Sequence, residues 1–265
     1  MPKEQTLHIG ILSAMPEEIG NLVSFLNNIK KIEHGDMKIF SGEIKFDKNK
    51  DFKIFLSIAW SGWGKVSAAR AATRLISNRY NNKSLDLILF TGVAGSVCQE
   101  INQWDIILAN KVVQYDIDAR PLFQRFFIPV FNKDKLTPNQ VWYDWVLETI
   151  RNNLKDKSLS YFKNLYSGEI GTGDKFISDK KEVLELKKNL PNLKAVEMEG
   201  CSVAQVAEQE GVPWVILRVI SDSANESAPG DFNEFLKIYN NLSPNLIKVI
   251  IRNYLNSPKF VKSKN

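Results

Sequence analysis

The chain is poor in the residues that metal and thiol chemistry need. It holds two histidines, His8 and His34, and two cysteines, Cys98 and Cys201, among 265 residues. Two cysteines are too few for a disulfide scaffold, and their spacing matches no zinc pattern. Two histidines exclude a three-histidine metal site within one chain. A Ser–His or Cys–His nucleophile finds no support either, because His8 falls in the first apolar strand and His34 in a surface turn. Each cysteine reads as an inert, buried small side chain. Also lacking is any apolar run of about eighteen residues, the length a membrane helix needs. The N-terminus has no basic stretch followed by a long apolar one, and Leu7–Leu12 is too short and strand-like for a signal peptide. These absences predict a cytoplasmic protein with no membrane association. Neither GxGxxG nor GxxxxGK[ST] occurs, so the nicotinamide and nucleoside-triphosphate folds lose support.

What is present is ordinary for a globular protein: 44% hydrophobic and 25% charged residues. A chain of this length buries a substantial core. The formal net charge of +5 invites a nucleic-acid reading. The lysines are dispersed, however, in small clusters at Lys30-Lys31, Lys180-Lys181, Lys187-Lys188 and Lys259–Lys264, with no recognised motif. No nucleic-acid partner is expected.

Short apolar runs alternate with helical patterns. Strands are expected at Leu7–Ser13, Met37–Phe46, Phe52–Ala59, Leu85–Phe90, within Ile106–Asp118, and at Leu165–Gly171, Val196 and Trp214–Ile220. A hairpin turn at Asp47–Asp51 joins the second and third. Pro16 opens a helix to about Ile29, with Ile19, Leu22, Val23, Phe25 and Leu26 on its inner face. Further helices are expected after Gly64, over Asn139–Leu154, Asp179–Asn189 and Glu199–Gln209, and from Phe232 to Leu255. Pro121–Pro138 reads as a long aromatic loop. The alternation predicts an α/β sandwich in a single domain.

Acidic residues stand beside turns at widely separated points: Pro16-Glu17-Glu18, Val196-Glu197-Met198-Glu199-Gly200, and Arg218-Val219-Ile220-Ser221-Asp222. A sheet that gathers the carboxyl ends of its strands brings such segments into one crevice. Two readings of each stand open. Glu18 is either a helix-terminus charge or a carboxylate that orients water. Glu197 and Glu199 share one face of an extended chain, but diverge by roughly 200° if a helix has begun. Asp222 is either a loop-capping aspartate or, with its pKa raised, a proton donor. Arg218 is a charge inside an apolar strand and needs an anionic partner. Thr91-Gly92-Val93-Ala94-Gly95 reads as a glycine turn whose amides can approach a ligand.

Taken in order, Ile9–Glu18, Ser61–Val66, Thr91–Ser96, Gly173–Ile177, Ala195–Gly200 and Arg218–Asp222 resemble the nucleoside phosphorylase superfamily. They are most similar to its 5′-methylthioadenosine/S-adenosylhomocysteine nucleosidases. The resemblance implies a three-layer α/β sandwich with a central mixed β-sheet, no metal or organic cofactor, and a homodimer. It divides the chain into a flexible N-terminus (1–6), one catalytic domain (7–256) and a basic C-terminal tail (257–265). It implies that Glu18 activates water, that Glu199 binds the ribose hydroxyls over Met198, and that Asp222, supported by Ser221, protonates adenine N7. Phe176 would stack on adenine and Ile177 would contact its edge. Val93, Ala94 and Gly95 would face the ribosyl–water region, and Phe232 would wall the 5′ substituent. The expected partners are adenine-containing thionucleosides, and the expected reaction is hydrolysis of their N-glycosidic bond.

The alternatives are a phosphate-dependent purine nucleoside phosphorylase, a hydrolase of a modified futalosine, and a nucleoside-binding or storage protein. Pro16-Glu17-Glu18 would repel phosphate, and Glu18, Glu199 and Asp222 together argue against a purely binding role. The chain departs from the family pattern in three places. Val93 stands where many nucleosidases carry serine, Asp116 follows Tyr115 where a histidine is frequent, and Phe123–Tyr143 is unusually aromatic.

Overall fold

Strand residues of alternating parity divide between two apolar cores, and this division organises the molecule. The computed structural model describes residues 5–45, 52–156, 158–225 and 227–262. Its strands are β1 (Gln5–Ser13), β2 (Asn27–His34), β3 (Met37–Ile44), β4 (Phe52–Trp60), β5 (Leu87–Ser96), β6 (Ile106–Gln114), β7 (Leu165–Thr172), β8 (Leu193–Glu197) and β9 (Trp214–Asp222). The helices are α1 (Lys65–Ser77), α2 (Gln140–Lys155), α3 (Lys180–Asn189), α4 (Gly200–Gln209), α5 (Ala228–Arg252) and the short α6 (Pro258–Lys262). On β5 and β9, Leu87, Leu89, Val215 and Leu217 face a core completed by α2 and α5. Ile88, Phe90, Trp214 and Ile216 face the opposite core, completed by α1 and α4. Successive strand side chains point to opposite faces, so a sheet covered on both sides reads as a continuous apolar run. The result is helix layers on both faces of a mixed sheet.

The sheet order is β2-β3-β4-β1-β5-β8-β7-β6-β9, and β9 also pairs with β5. The contacts β5–β9, β9–β6, β6–β7, β7–β8 and β8–β5 therefore close a circuit of five strands. From it β1, β4, β3 and β2 extend as a flange. β1, β5 and β9 run parallel. β8 meets β5 antiparallel through Gly95↔Val196 and Ser96↔Ala195, which brings the carboxyl ends of these two strands together.

Several expectations change. The helix expected from Pro16 to Ile29 is two 3-10 turns, Pro16–Glu18 and Leu22–Phe25, followed by β2. Gly20 interrupts it at φ +56°, where a Cβ would collide with the Asn240 carbonyl and approach Pro244 Cγ to 2.9 Å. Ile19, Leu22 and Leu26 are buried as expected, but Phe25 is 39% exposed. Thr91–Gly95 is not a turn but the end of β5. Elsewhere the elements fall close to their expected places. Asn139 caps α2 by accepting a hydrogen bond from Trp142 N at 3.4 Å, and Asp179 caps α3 by accepting one from Lys181 N at 2.7 Å.

Among the ends, Gln5 and Thr6 belong to β1, and residues 1–4 lie outside the described residues. The expected turn at Asp47–Asp51 also lies outside them. In the expected tail, Phe260 of α6 is buried against Phe52 and Tyr254, and residues 263–265 lie outside. A buried polar network ties the flange to α1. His8 Nε2 lies 2.9 Å from Ser57 Oγ, Ser57 Oγ lies 2.7 Å from Ser41 Oγ, and Asn78 at the end of α1 donates to both serines.

Candidate active site

The segments that follow β1, β4, β7 and β8, the carboxyl ends of β5, β8 and β9, and one ring from α5 enclose a cleft of about 560 Å³. That volume suits a small polar ligand with an aromatic part. Every site residue expected from the sequence lines it: Glu18, Val93, Ala94, Gly95, Phe176, Ile177, Met198, Glu199, Ser221, Asp222 and Phe232. The cleft also takes in Met15, Trp63, Lys175 and Glu197, to which the resemblance gave no role.

Glu18 sits in the turn after β1 and is 2% exposed. Its Oε2 accepts hydrogen bonds from Ala14 N at 2.8 Å and Met15 N at 3.0 Å, and its Oε1 accepts one from Val93 N at 2.9 Å. The Val93 contact uses the backbone, so valine serves it as well as serine would. Gly92, at φ +151°, allows this approach, since a Cβ there would collide with both Glu18 and Arg218. Burial raises the Glu18 pKa, and the Arg218 guanidinium opposes that rise.

Glu197 ends β8 and Glu199 stands immediately before α4. The open question of their directions resolves through Arg218, which approaches both. Arg218 is fully buried on β9, with its guanidinium 4.2 Å from the centre of the Phe90 ring. Its Nη2 contacts Glu197 Oε2 closely and lies 3.4 Å from Glu199 Oε2, while Nη1 lies 3.8 Å from Glu18 Oε1. The intrusive arginine thus has three carboxylate partners. Burial lowers its pKa, but Glu197, Glu18 and Glu199 more than offset this, and it stays charged. Glu199 Oε1 also accepts from Gly64 N at 2.8 Å. Its pKa rises because of burial first and the Glu197 charge second.

Glu197 has a different set of partners. It accepts from Gly200 N at 2.8 and 3.0 Å, from Glu199 N at 3.2 Å and from the Thr172 hydroxyl. It accepts from the first amide of α4 and makes the closest contact with Arg218, and both glutamates line the cleft. Backbone donors and a threonine on another strand carry no sequence signature, so this anchoring was not legible beforehand.

Asp222 ends β9 and is 5% exposed. Its Oδ2 accepts from Ser221 Oγ at 2.7 Å and its Oδ1 from Ala224 N at 2.9 Å. Burial raises its pKa against these two hydrogen bonds, so a proton is held more tightly than on an ordinary aspartate. At the mouth, Phe232 stands edge-on to Phe176 with ring centres 5.8 Å apart, and to Trp63 at 6.2 Å. Among the described residues, no group of three or more His, Cys, Asp or Glu is arranged to hold a metal ion. The cleft therefore has acidic groups on its inner wall, aromatic surface at its mouth and one proton-retaining aspartate.

The likeness to known proteins runs the length of the chain. The sequence profile of the Phosphorylase superfamily matches residues 8–256. A 5′-methylthioadenosine/S-adenosylhomocysteine nucleosidase of Staphylococcus haemolyticus is 31% identical over 247 residues, covering 91% of this chain and 100% of the relative. An aminodeoxyfutalosine nucleosidase of Campylobacter jejuni is 34% identical over 242 residues, covering 91% and 96%. Among solved structures, the Neisseria meningitidis 5′-methylthioadenosine/S-adenosylhomocysteine nucleosidase in complex with methylthio-immucillin-A superposes with a TM-score of 0.80 at 26% identity, covering 92% of this chain and 98% of that one. With the profile matched almost from end to end and nucleosidases aligned over nearly their whole length, the chain belongs to the phosphorylase superfamily, in its nucleosidase branch.

Proposed function

We propose that this chain is an N-glycosyl hydrolase that cleaves 5′-methylthioadenosine and S-adenosylhomocysteine, releasing adenine and the 5-thio-substituted ribose. The observation that carries this reading is a buried aspartate with a raised pKa, Asp222, on the same cleft as two buried carboxylates, Glu18 and Glu199. Burial raises the pKa of all three, but the Arg218 guanidinium opposes the rise at Glu18 and Glu199 and no cation does so at Asp222. Such a difference of environment within one cleft assigns acid and base roles.

Asp222 gives its proton to N7 of the base. Electron density is drawn from the glycosidic bond, which breaks with its electron pair passing to the purine and leaves an oxocarbenium-like ribosyl cation. Glu199, oriented by Gly64 N and Arg218, holds the ribose hydroxyls over Met198. Glu18 takes a proton from water as the water oxygen bonds to C1′, and the anionic wall stabilises the cation. One water is consumed, and the proton gained by Glu18 balances the one lost by Asp222. Phe176 and Ile177 hold the base, Val93, Ala94 and Gly95 face the reacting carbon, and Phe232 borders the 5′ substituent.

Phosphate is disfavoured as the nucleophile, because the buried guanidinium of Arg218 is already surrounded by three carboxylates. A second reading, hydrolysis of a futalosine-type nucleoside, keeps the same chemistry and differs at the 5′ side. It is favoured by the aromatic surface of Trp63, 54% exposed at the mouth. We take the working form to be a cytoplasmic homodimer that needs no cofactor. Leu122, Val130 and Val141 are 82%, 61% and 54% exposed and offer apolar surface for a second copy. No helix among the described residues is long and apolar enough to cross a membrane.

The test is incubation with methylthioadenosine, S-adenosylhomocysteine, aminodeoxyfutalosine and inosine, with and without phosphate. Adenine release independent of phosphate supports the hydrolase, and sugar phosphate formed only with phosphate overturns it. The relative rates decide between the two substrate readings.

A further inference from the structure

The amino end of α1 receives carboxylates from two separate segments that contribute to the cleft, one after β8 and one after β7. Gly64 N donates to Glu199 Oε1 at 2.8 Å, and the next amide, Lys65 N, donates to Asp174 Oδ1 at 2.7 Å. The first amides of a helix have no partner within it, and they carry partial positive charge. Asp174 belongs to the segment that presents Phe176 and Ile177, which line the cleft two and three residues later. The amide of Asp174 in turn donates to Asp116 Oδ2 at 2.9 Å, and Asp116 Oδ1 pairs with Lys65 Nζ at 2.6 Å. Lys65 thus engages Asp174 through its backbone and holds the partner of Asp174 through its side chain. The arrangement depends on glycine at position 64. Gly64 has φ +89°, and a Cβ there would stand 3.0 Å from Asp174 Oδ1. The segment is tied from its other side as well, since Tyr115 OH donates to Lys175 O at 3.1 Å and Gly173 N to Glu197 O at 3.1 Å.

We propose that Asp174 is a positioning residue that sets affinity for the base by fastening the Phe176–Ile177 segment to the same helix end that orients Glu199. Asp174 touches no reacting atom in this account. It makes the grip on the base and the grip on the ribose share one rigid support, so that Phe176 is held at a fixed place relative to the sugar. This rests on the nucleosidase reading above. Asp116, standing where a histidine is frequent in the resembling family, supplies the anion that pairs with Lys65 and completes the clasp.

The test compares wild type, Asp174→Ala and Asp174→Asn. Thermal melting reports folding, steady-state kinetics on methylthioadenosine report turnover, and calorimetry reports free adenine binding. In Asp174→Ala, KM and the adenine Kd rise about tenfold, as for loss of one charge-assisted hydrogen bond, while kcat changes less than about threefold. Asp174→Asn keeps an acceptor for Lys65 N and recovers most of the affinity. If Asp174→Ala does not fold, the nearly isosteric Asp174→Asn carries the test, with a rise of about threefold expected in both constants. Unchanged KM and adenine Kd in folded variants overturn the proposal, as does a loss confined to kcat. A wild type that releases no base from any nucleoside defeats the nucleosidase reading instead. An active wild type with unaltered variants defeats the clasp alone.

Discussion

Asp222 and Arg218 sit four residues apart on β9 and act in opposite senses on charge. Burial raises the Asp222 pKa, so in the proposed mechanism its role as an acid is present at low pH and is lost as pH rises through that raised value. The alkaline limb of kcat against pH should therefore lie above the usual carboxylate range. Asp222→Asn should lower kcat by about 10²–10⁴-fold. The same substitution should not destabilise the fold above neutral pH. An acid whose folded pKa is raised contributes stability below its unfolded pKa and loses it as pH rises through the folded value, and asparagine removes that loss. A lower melting temperature for Asp222→Asn than for wild type at pH 8 would contradict this account. Arg218→Met has the opposite character. It leaves Glu18, Glu197 and Glu199 buried without their cation, and loss of one partner from a buried ion cluster costs about 3–5 kcal/mol. Urea unfolding at several pH values checks it: the deficit should shrink as pH falls and the carboxylates take up protons.

The elements that the sequence made legible are those buried on both faces. β1, β4, β5 and β9 read as short apolar runs because helix layers cover them on either side. β2 was not legible: Asn27–Glu33 are all exposed, and among the described residues it pairs with β3 alone, at the sheet edge. The run Leu22-Val23-Phe25-Leu26 supported a helix locally, but Gly20 takes a left-handed conformation against α5 and that tertiary contact wins. For the site, the carboxylates near strand ends were visible, whereas the donors that aim them were backbone amides of Ala14, Gly64 and Val93. Any residue can supply an amide, so only the fold reveals which one does.

The flange makes its own prediction through His8. Burial lowers the His8 pKa, so its neutral form belongs to the folded state. The network linking β1, β4 and β3 to α1 contributes fully above the unfolded value of about 6.5 and is lost as pH falls through the lowered one. His8→Gln should therefore flatten the acid side of the stability profile, measured by melting between pH 4 and 7. A slope identical to that of wild type would assign acid sensitivity elsewhere.

At the scale of the whole molecule, the last described helix is part of the packed body. Phe260 lies 5.0 Å, ring centre to ring centre, from Phe52 at the start of β4, and it joins the core beneath α2 and α5. Phe260→Ala should cost about 3–5 kcal/mol with KM unchanged, because the ring is remote from the cleft. A variant as stable as wild type would show that α6 is dispensable. The closed circuit of strands has a temporal meaning as well. β9, the final strand in sequence, is the one that lies between β5 and β6, and it brings both Arg218 and Asp222. A ribosome delivers the chain from its N-terminus, so Glu18, Glu197 and Glu199 emerge before their counter-ion. Without β9 the sheet lacks the strand between β5 and β6, and Glu18, Glu197 and Glu199 lack the cation they share. β9 thus supplies both the closure of the strand circuit and Asp222, and no fragment ending before residue 214 can acquire the proposed activity by itself.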